Sequence, residues 1–533
     1  MRSASSAPAQ AIPYWMIALL LALAALRLPA FVEPAGSDQS LYLYIGQRLL
    51  AGGVPYVDAW DQKPPAVHVI YAALWSIWPH QSVVALADVL GASLTAALLM
   101  VLGRRTFGAR TGAWAAALFL IGSHPGLGRL GGVYLRGQCE VFMSGAIAAA
   151  LVLLAHERRS RVRALLAGVW FGVAIWLKFN AAAYALPIAA AAWSWAPADR
   201  DVRTWARDLI LVATGVVAVS VVVLLYFAAH NALEPLQLAT IDYNLRYSGD
   251  TYATTPVWAY LALVPWRQAH VDLLWFLGGA GAIGLIAIRE AERPSRLVVW
   301  AWMAAAIVSI AINGARNLPQ YFLQAAPAMA CAAAMAGVAF AARAGAGRWL
   351  MAALIAVGLW KVGVDDVPVR LGGLPGLIEN ARRDVSYLRG RMSREAFLAN
   401  FRGEQKYDAP EIDALTTLVR TTTAATDRIF VFGFSPGVYA FSGRESASRF
   451  FWSRPVVIEF AADHQGYGSA GLLHDLQQHP PALVALQKQD WGGPTEAHSR
   501  DFFFANTGLR LWLESGYIRE SETPMFSVWR RKS

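Results

Sequence analysis

The chain has 533 residues, of which 56% are hydrophobic and only 15% charged. A soluble domain carries about a quarter charged residues, so this composition excludes an ordinary soluble protein and points to a second, apolar solvent. The net charge of +10 is spread in short clusters between apolar runs, with no basic-aromatic module, which excludes a nucleic-acid-binding surface.

A helix needs about 20 apolar residues to cross a bilayer. Apolar runs fall near 12–32, 82–102, 111–124, 138–155, 163–178, 181–196, 208–229, 271–288, 297–312, 319–341 and 348–364. They predict a polytopic α-helical membrane protein with about eleven transmembrane helices. The first run is too long for a signal-peptide core and lacks a convincing cleavage site, so it reads as a retained span. The piece from Val67 to Trp78 is too short to cross and reads as interfacial or re-entrant. Cys139 and Cys331 lie in or beside apolar segments, as small buried residues do.

The first external loop, 33–80, holds Asp38, then "SLYLYIGQRLL", then Gly52-Gly53, and closes on Asp61, Lys63 and a Pro-Pro pair. Leu41, Ile45 and Leu49 stand at helical spacing with Gln47 and Arg48 opposite. This predicts an amphipathic helix along the membrane surface, ended by the glycines. Taken alone, Asp38 also suits a helix cap and Lys63 a snorkelling residue.

Orientation follows from arginine. With the N-terminus inside, the internal loops hold Arg104, Arg105 and Arg110; Arg158, Arg159, Arg161 and Arg163; Arg200, Arg203 and Arg207; Arg289, Arg293 and Arg296; and Arg343 and Arg348. The opposite loops are poor in Lys and Arg, as the positive-inside rule requires. An odd number of spans then places residues 365–533 outside, after a transmembrane module at 1–364. In that tail 413–423 reads as a helix, "RIFVFGF" as a buried strand, and "GLLHDLQQH" as a helix before the strand "ALVAL". "YIRESETPMFSVWRR" reads as two strands around a turn. A small extracytoplasmic α/β domain is expected.

Ionisable residues beside membrane spans are costly and mark function by default. On the outer face they are Asp38, Asp61, Lys63, Arg136 and Glu140 in "YLRGQCE", Lys178 in "WLKFN", and Arg316 in "NGARNLPQYF". Arg136 and Glu140 also suit a mutual ion pair closing their loop.

The order of these features resembles the GT-C superfamily of integral-membrane glycosyltransferases, in the branch of protein O-mannosyltransferases and lipid A aminoarabinose transferases. A span followed by an Asp, an amphipathic segment ending in Gly, Lys-Pro-Pro, a second acid, Lys-x-Asn and Arg-x-x-x-Gln-Tyr-Phe recur in sequence over about 12–341. The resemblance implies that Asp38 is the catalytic acid and that Lys63 lies near the donor pocket. It makes Glu140 the second acid and Lys178 a cation facing a lipid-linked phosphate, with Arg316, Gln320 and Tyr321 in the Arg-x-x-x-His-Tyr type of segment. Asp38-Gln39 replaces the usual Asp-Glu, Gln62 displaces an acid to Asp61, and Gln320 replaces His. Hard and imidazole ligands are thereby lost, so no metal and no cofactor is expected.

The implied reaction moves a sugar from a polyprenyl-phosphate donor to an extracytoplasmic glycan, lipid or protein, at a bacterial inner membrane. Its growing phosphate charge requires fixed cations, and its acceptor hydroxyl requires a carboxylate base. No Gly-rich nucleotide loop occurs, which favours a lipid-linked donor. The rival classes are a transporter or flippase, which predicts midplane polar residues and repeated halves, and a non-catalytic scaffold whose external domain binds a partner.

Overall fold

The computed structural model describes residues 12–127, 132–156, 160–195, 201–252, 256–287, 293–313, 318–342, 345, 349–350, 352–358, 373–403, 407–491 and 496–532. Among the described residues, helix falls within each of the predicted apolar runs. Among the described residues five helices are long and apolar enough to cross a membrane: Tyr14–Val32, Val83–Thr106, Val202–Ala229, Pro294–Ile312 and Pro319–Ala341. Ala109–Gly122, Cys139–Leu154 and Leu273–Gly284 are apolar but shorter. One helix, Val257–Val271, lies where no run was expected; Pro265 falls inside it and Arg267, Gln268 and His270 break its apolar pattern.

The chain divides into two compact units. The first comprises Met1–Phe31, Ala85–Leu225 and Tyr247–Arg382. Its helices pack through small residues, which let backbones approach where apolar burial gives no drive between helices in lipid. A Cβ on Gly168 would lie 2.0 Å from the Val212 carbonyl oxygen, and one on Gly215 would lie 2.3 Å from that of Leu165. Only glycine fits this crossing of Arg161–Leu177 with Val202–Ala229. A buried ion pair joins the first two apolar segments. Arg27 Nη1 lies 2.5 Å from Asp88 Oδ2, and Arg27 Nη2 donates to the Leu120 carbonyl and Ser123 Oγ.

The second unit comprises Val32–Val84, Tyr226–Arg246 and Arg383–Ser533. Its sheet contains β1 (Arg428–Phe432), β2 (Glu445–Ser446), β3 (Leu483–Gln487), β4 (Tyr517–Glu522) and β5 (Phe526–Arg531) in the order β2-β1-β3-β5-β4. β1 runs parallel to β2 and β3; β5 runs antiparallel to β3 and β4. Residues of β1 and β3 are buried almost throughout, which is why both read as continuous apolar runs. The helix expected at 413–423 is Ala409–Thr422, capped by Asp408, and the next expected helix is Gly468–Gln478.

Helices Ser37–Leu50 and Ala66–Ile77, from the segment 33–80, belong to this unit. They cross at Gly46, where a Cβ would stand 2.7 Å from the Ala72 amide nitrogen. The central turns of Ser37–Leu50 are packed inside protein. Leu41, Tyr42, Leu43, Tyr44 and Ile45 are all buried in protein, because the polar side of the helix meets residues 434–446 rather than water. The apolar spacing is as expected, and protein covers both sides of the helix over 41–45.

Candidate active site

Asp38 lies in the first turn of helix Ser37–Leu50, where the helix dipole favours an anion. The N-cap position belongs to Gly36, so Asp38 is not the cap residue. Its side chain is half-buried. The adjacent Ser37 Oγ donates to the Phe434 carbonyl at 3.0 Å, and Tyr407 Oη donates to the Ala35 carbonyl at 3.0 Å.

After the turn at Gly52, whose φ is 86°, the chain forms a tight loop. Tyr56 adopts φ 70°, unusual for a bulky residue, with its amide bonded to the Ala59 carbonyl at 2.7 Å. Its hydroxyl donates to the Lys63 carbonyl at 2.7 Å. Asp61 is buried; one carboxylate oxygen accepts the Gln62 amide at 2.7 Å, and the other meets His68 Nε2 at 2.9 Å. His68 is itself fully buried between the rings of Tyr42 and Tyr56. Nothing in the spacing announced this partner, because it depends on how the Pro-Pro turn folds back. Lys63 is half-buried.

In the first unit, Glu140 stands in the first turn of helix Cys139–Leu154 and Lys178 at the C-cap of Arg161–Leu177. Their charged atoms, Lys178 Nζ and Glu140 Oε1, are 2.6 Å apart, and both side chains are buried. The same ammonium lies 4.1 Å from the centre of the Tyr321 ring, a cation–π contact. Behind it runs a polar chain. Tyr184 Oη donates to the Gln324 carbonyl, Ser309 Oγ to Gln324 Oε1, and Asn180 Nδ2 to the Ser309 carbonyl. Arg136 and Gln320 are buried. The carboxylate of Glu140 thus has as its partner a lysine 38 residues away. Arg316 lies outside the described residues.

The structure therefore gathers Glu140, Lys178 and Tyr321 in one unit, and Asp38, Asp61 and Lys63 in one loop of the other. Among the described residues no group of three or more His, Cys, Asp or Glu could hold a metal ion. Sequence reasoning missed His68, Arg27 and Asp88. The last two carried a signal, since charges within apolar runs are suspect by default.

This apolar helical assembly with a small C-terminal sheet has a GT-C-like fold. ArnT from Cupriavidus metallidurans, bound to undecaprenyl phosphate, is similar over 97% of both chains, with a TM-score of 0.60 and 16% identity. The same protein in the apo state gives a TM-score of 0.54 at 16% identity, again over 97% of each chain. The apo oligosaccharyltransferase of Archaeoglobus fulgidus is similar over 98% of this chain and 75% of its own, with a TM-score of 0.51 and 14% identity. No family model matches the chain, and no curated protein matches it. The likeness is one of fold.

Proposed function

We propose that this chain is a membrane glycosyltransferase that moves a hexosyl or pentosyl group from a polyprenyl-phosphate donor to an extracytoplasmic lipid, polysaccharide or protein. The observation that carries the reading is the buried Glu140–Lys178 pair under Tyr321, in a chain whose GT-C fold extends along nearly its whole length. A buried charge pair adds little net stability, so function is the better reason for it. The ArnT structure holds undecaprenyl phosphate, and the same class of carrier is assigned here.

Asp38 serves as the general base. The acceptor hydroxyl attacks the anomeric carbon and gives its proton to the Asp38 carboxylate; the bond from that carbon to the phosphate oxygen breaks, and the polyprenyl phosphate leaves with the electron pair. Lys63, Lys178, Arg136 and Arg316 are cations suited to that phosphate, Arg by two parallel hydrogen bonds. Asp61, Glu140, Gln320 and Tyr321 complete the substrate-binding set. The topology that serves this chemistry has eleven spans, with residues 1–364 as the transmembrane module of a bacterial inner membrane and 365–533 as an external domain.

The test is Asp38→Asn in proteoliposomes with polyprenyl-phosphate sugars. Asn keeps the size of Asp and suits a first helical turn, but it cannot take a proton. Loss of a general base costs about 10²–10⁴-fold in rate. A stable, inactive protein is expected; near-normal transfer would remove Asp38 from the mechanism.

A further inference from the structure

The C-terminal domain has no part in the chemistry above, yet it grips the loop that carries it. Residues 37, 40, 44, 47 and 48 follow helical spacing along one side of Ser37–Leu50. That side meets the domain contact by contact. Ser37 Oγ donates to the Phe434 carbonyl at 3.0 Å, and Gln47 Nε2 donates to the Ala440 carbonyl at 3.0 Å. Tyr44 Oη accepts the Ser446 amide at 2.8 Å, with its ring 5.2 Å from Tyr439 and 4.7 Å from Phe451. Burial pushes the Tyr44 phenol up to about 12, so it stays neutral. Arg48 pairs with Glu445. Ser40 Oγ would lie 3.3 Å from a Cβ on Gly437, so the missing side chain permits this closeness.

The grip extends to both ends of the loop. Glu33 pairs with Arg383 at 3.0 Å. The Trp60 amide donates to the Arg449 carbonyl at 2.9 Å, and Trp452 Nε1 donates to the Trp60 carbonyl at 2.9 Å. Asp38 and Asp61 each directly follow a residue bonded to the domain. A loop between two spans has no intrinsic reason to hold a fixed shape, whereas a reacting group must be held to about 0.5 Å.

We infer that the C-terminal domain is a fixed clamp on the first external loop, with Ser37, Tyr44 and Gln47 as positioning residues for Asp38. This rests on the glycosyltransferase reading for its kinetic consequence, though the clamp itself is a property of the second unit. The domain is then part of the catalytic framework, and no opening of this contact occurs in the cycle.

The full chain in proteoliposomes tests it. In Ser37→Ala, Tyr44→Phe and Gln47→Leu, amide exchange across 38–46 should rise at least about ten-fold, with helix Cys139–Leu154 unchanged. With a panel of undecaprenyl-phosphate hexoses and pentoses, kcat should fall by about 10–100-fold. The donor KM should stay within about two-fold and the acid limb of the pH–rate profile should shift, since the base is misplaced while donor contacts remain. The double variant Ser40→Cys/Gly437→Cys should cross-link on oxidation and keep its turnover. Wild-type exchange and kcat in all three variants would overturn the positioning role. A double variant that does not cross-link would overturn the contact, and one that is silenced by oxidation and revived by reduction would overturn its fixity. If the wild-type protein turns over no donor, the glycosyltransferase reading fails, and exchange and cross-linking still decide the clamp.

Discussion

Consider the removal of charge from the Glu140–Lys178 pair. At 2.6 Å and an effective dielectric of about 20, the attraction is about 6 kcal/mol. Desolvation of two buried ions cancels most of it, so the pair as a whole contributes little. The single changes differ sharply from the double. Lys178→Met leaves a buried carboxylate unpaired and should destabilise the protein by about 3–5 kcal/mol. Loss of the contact with the Tyr321 ring, 4.1 Å away, adds about 0.5–2 kcal/mol. Glu140→Gln strands the ammonium in the same way. In Lys178→Met/Glu140→Gln both side chains are neutral and nearly isosteric, and stability should return to within about 1–2 kcal/mol of wild type. Transfer should not return, because a neutral Met cannot stabilise a leaving phosphate. Reversible unfolding in mixed micelles measures the first half of this cycle, and sugar transfer in liposomes the second. Singles as stable as wild type would refute the burial of the pair. A fully active double variant would refute the phosphate role of Lys178 and leave the pair purely structural.

Gly46→Ala should push helix Ser37–Leu50 off Ala66–Ile77, since its Cβ meets backbone at 2.7 Å; a loss of about 1–3 kcal/mol is expected in unfolding of the full chain. Asp490, in the loop after β3, has its carboxyl raised above the ordinary 3.8 by desolvation, opposed by hydrogen bonds from Ser499 and Trp491. A raised acid favours the fold at low pH. Its contribution is full below 3.8 and is lost as pH rises through the folded value, so Asp490→Asn should remove this fall in stability and let the pH–stability curve of the protein rise more steeply with pH above 3.8. An unchanged curve would assign that slope to other groups. Reporters fused after Arg296 and Lys361 should be active inside and outside the cytoplasm respectively; a cytoplasmic signal at Lys361 would overturn the eleven-span topology.

Much of the fold was legible in the sequence because its causes are local. Apolar length places helix within every predicted run among the described residues, and continuous apolar runs mark β1 and β3 as strands before any partner is known. The turn at Gly52 and the first-turn position of Asp38 follow from glycine and the helix dipole. The GT-C resemblance was also readable, since it lies in the order of short motifs along the chain.

What the sequence withheld are pairings between distant segments. His68 closes on Asp61 only when the Pro-Pro turn folds back, and Lys178 meets Glu140 only when two helix ends come together. Arg27 and Asp88 are separated by 61 residues, and Ser37 and Phe434 by 397. The helix Ser37–Leu50 states the limit best. Its pattern of Leu41, Ile45 and Leu49 fixes that one face is apolar, by the period of the helix alone. Whether lipid, water or protein covers the other face depends on a domain hundreds of residues later, because a polar side chain satisfies its hydrogen bonds equally with solvent or with a folded neighbour.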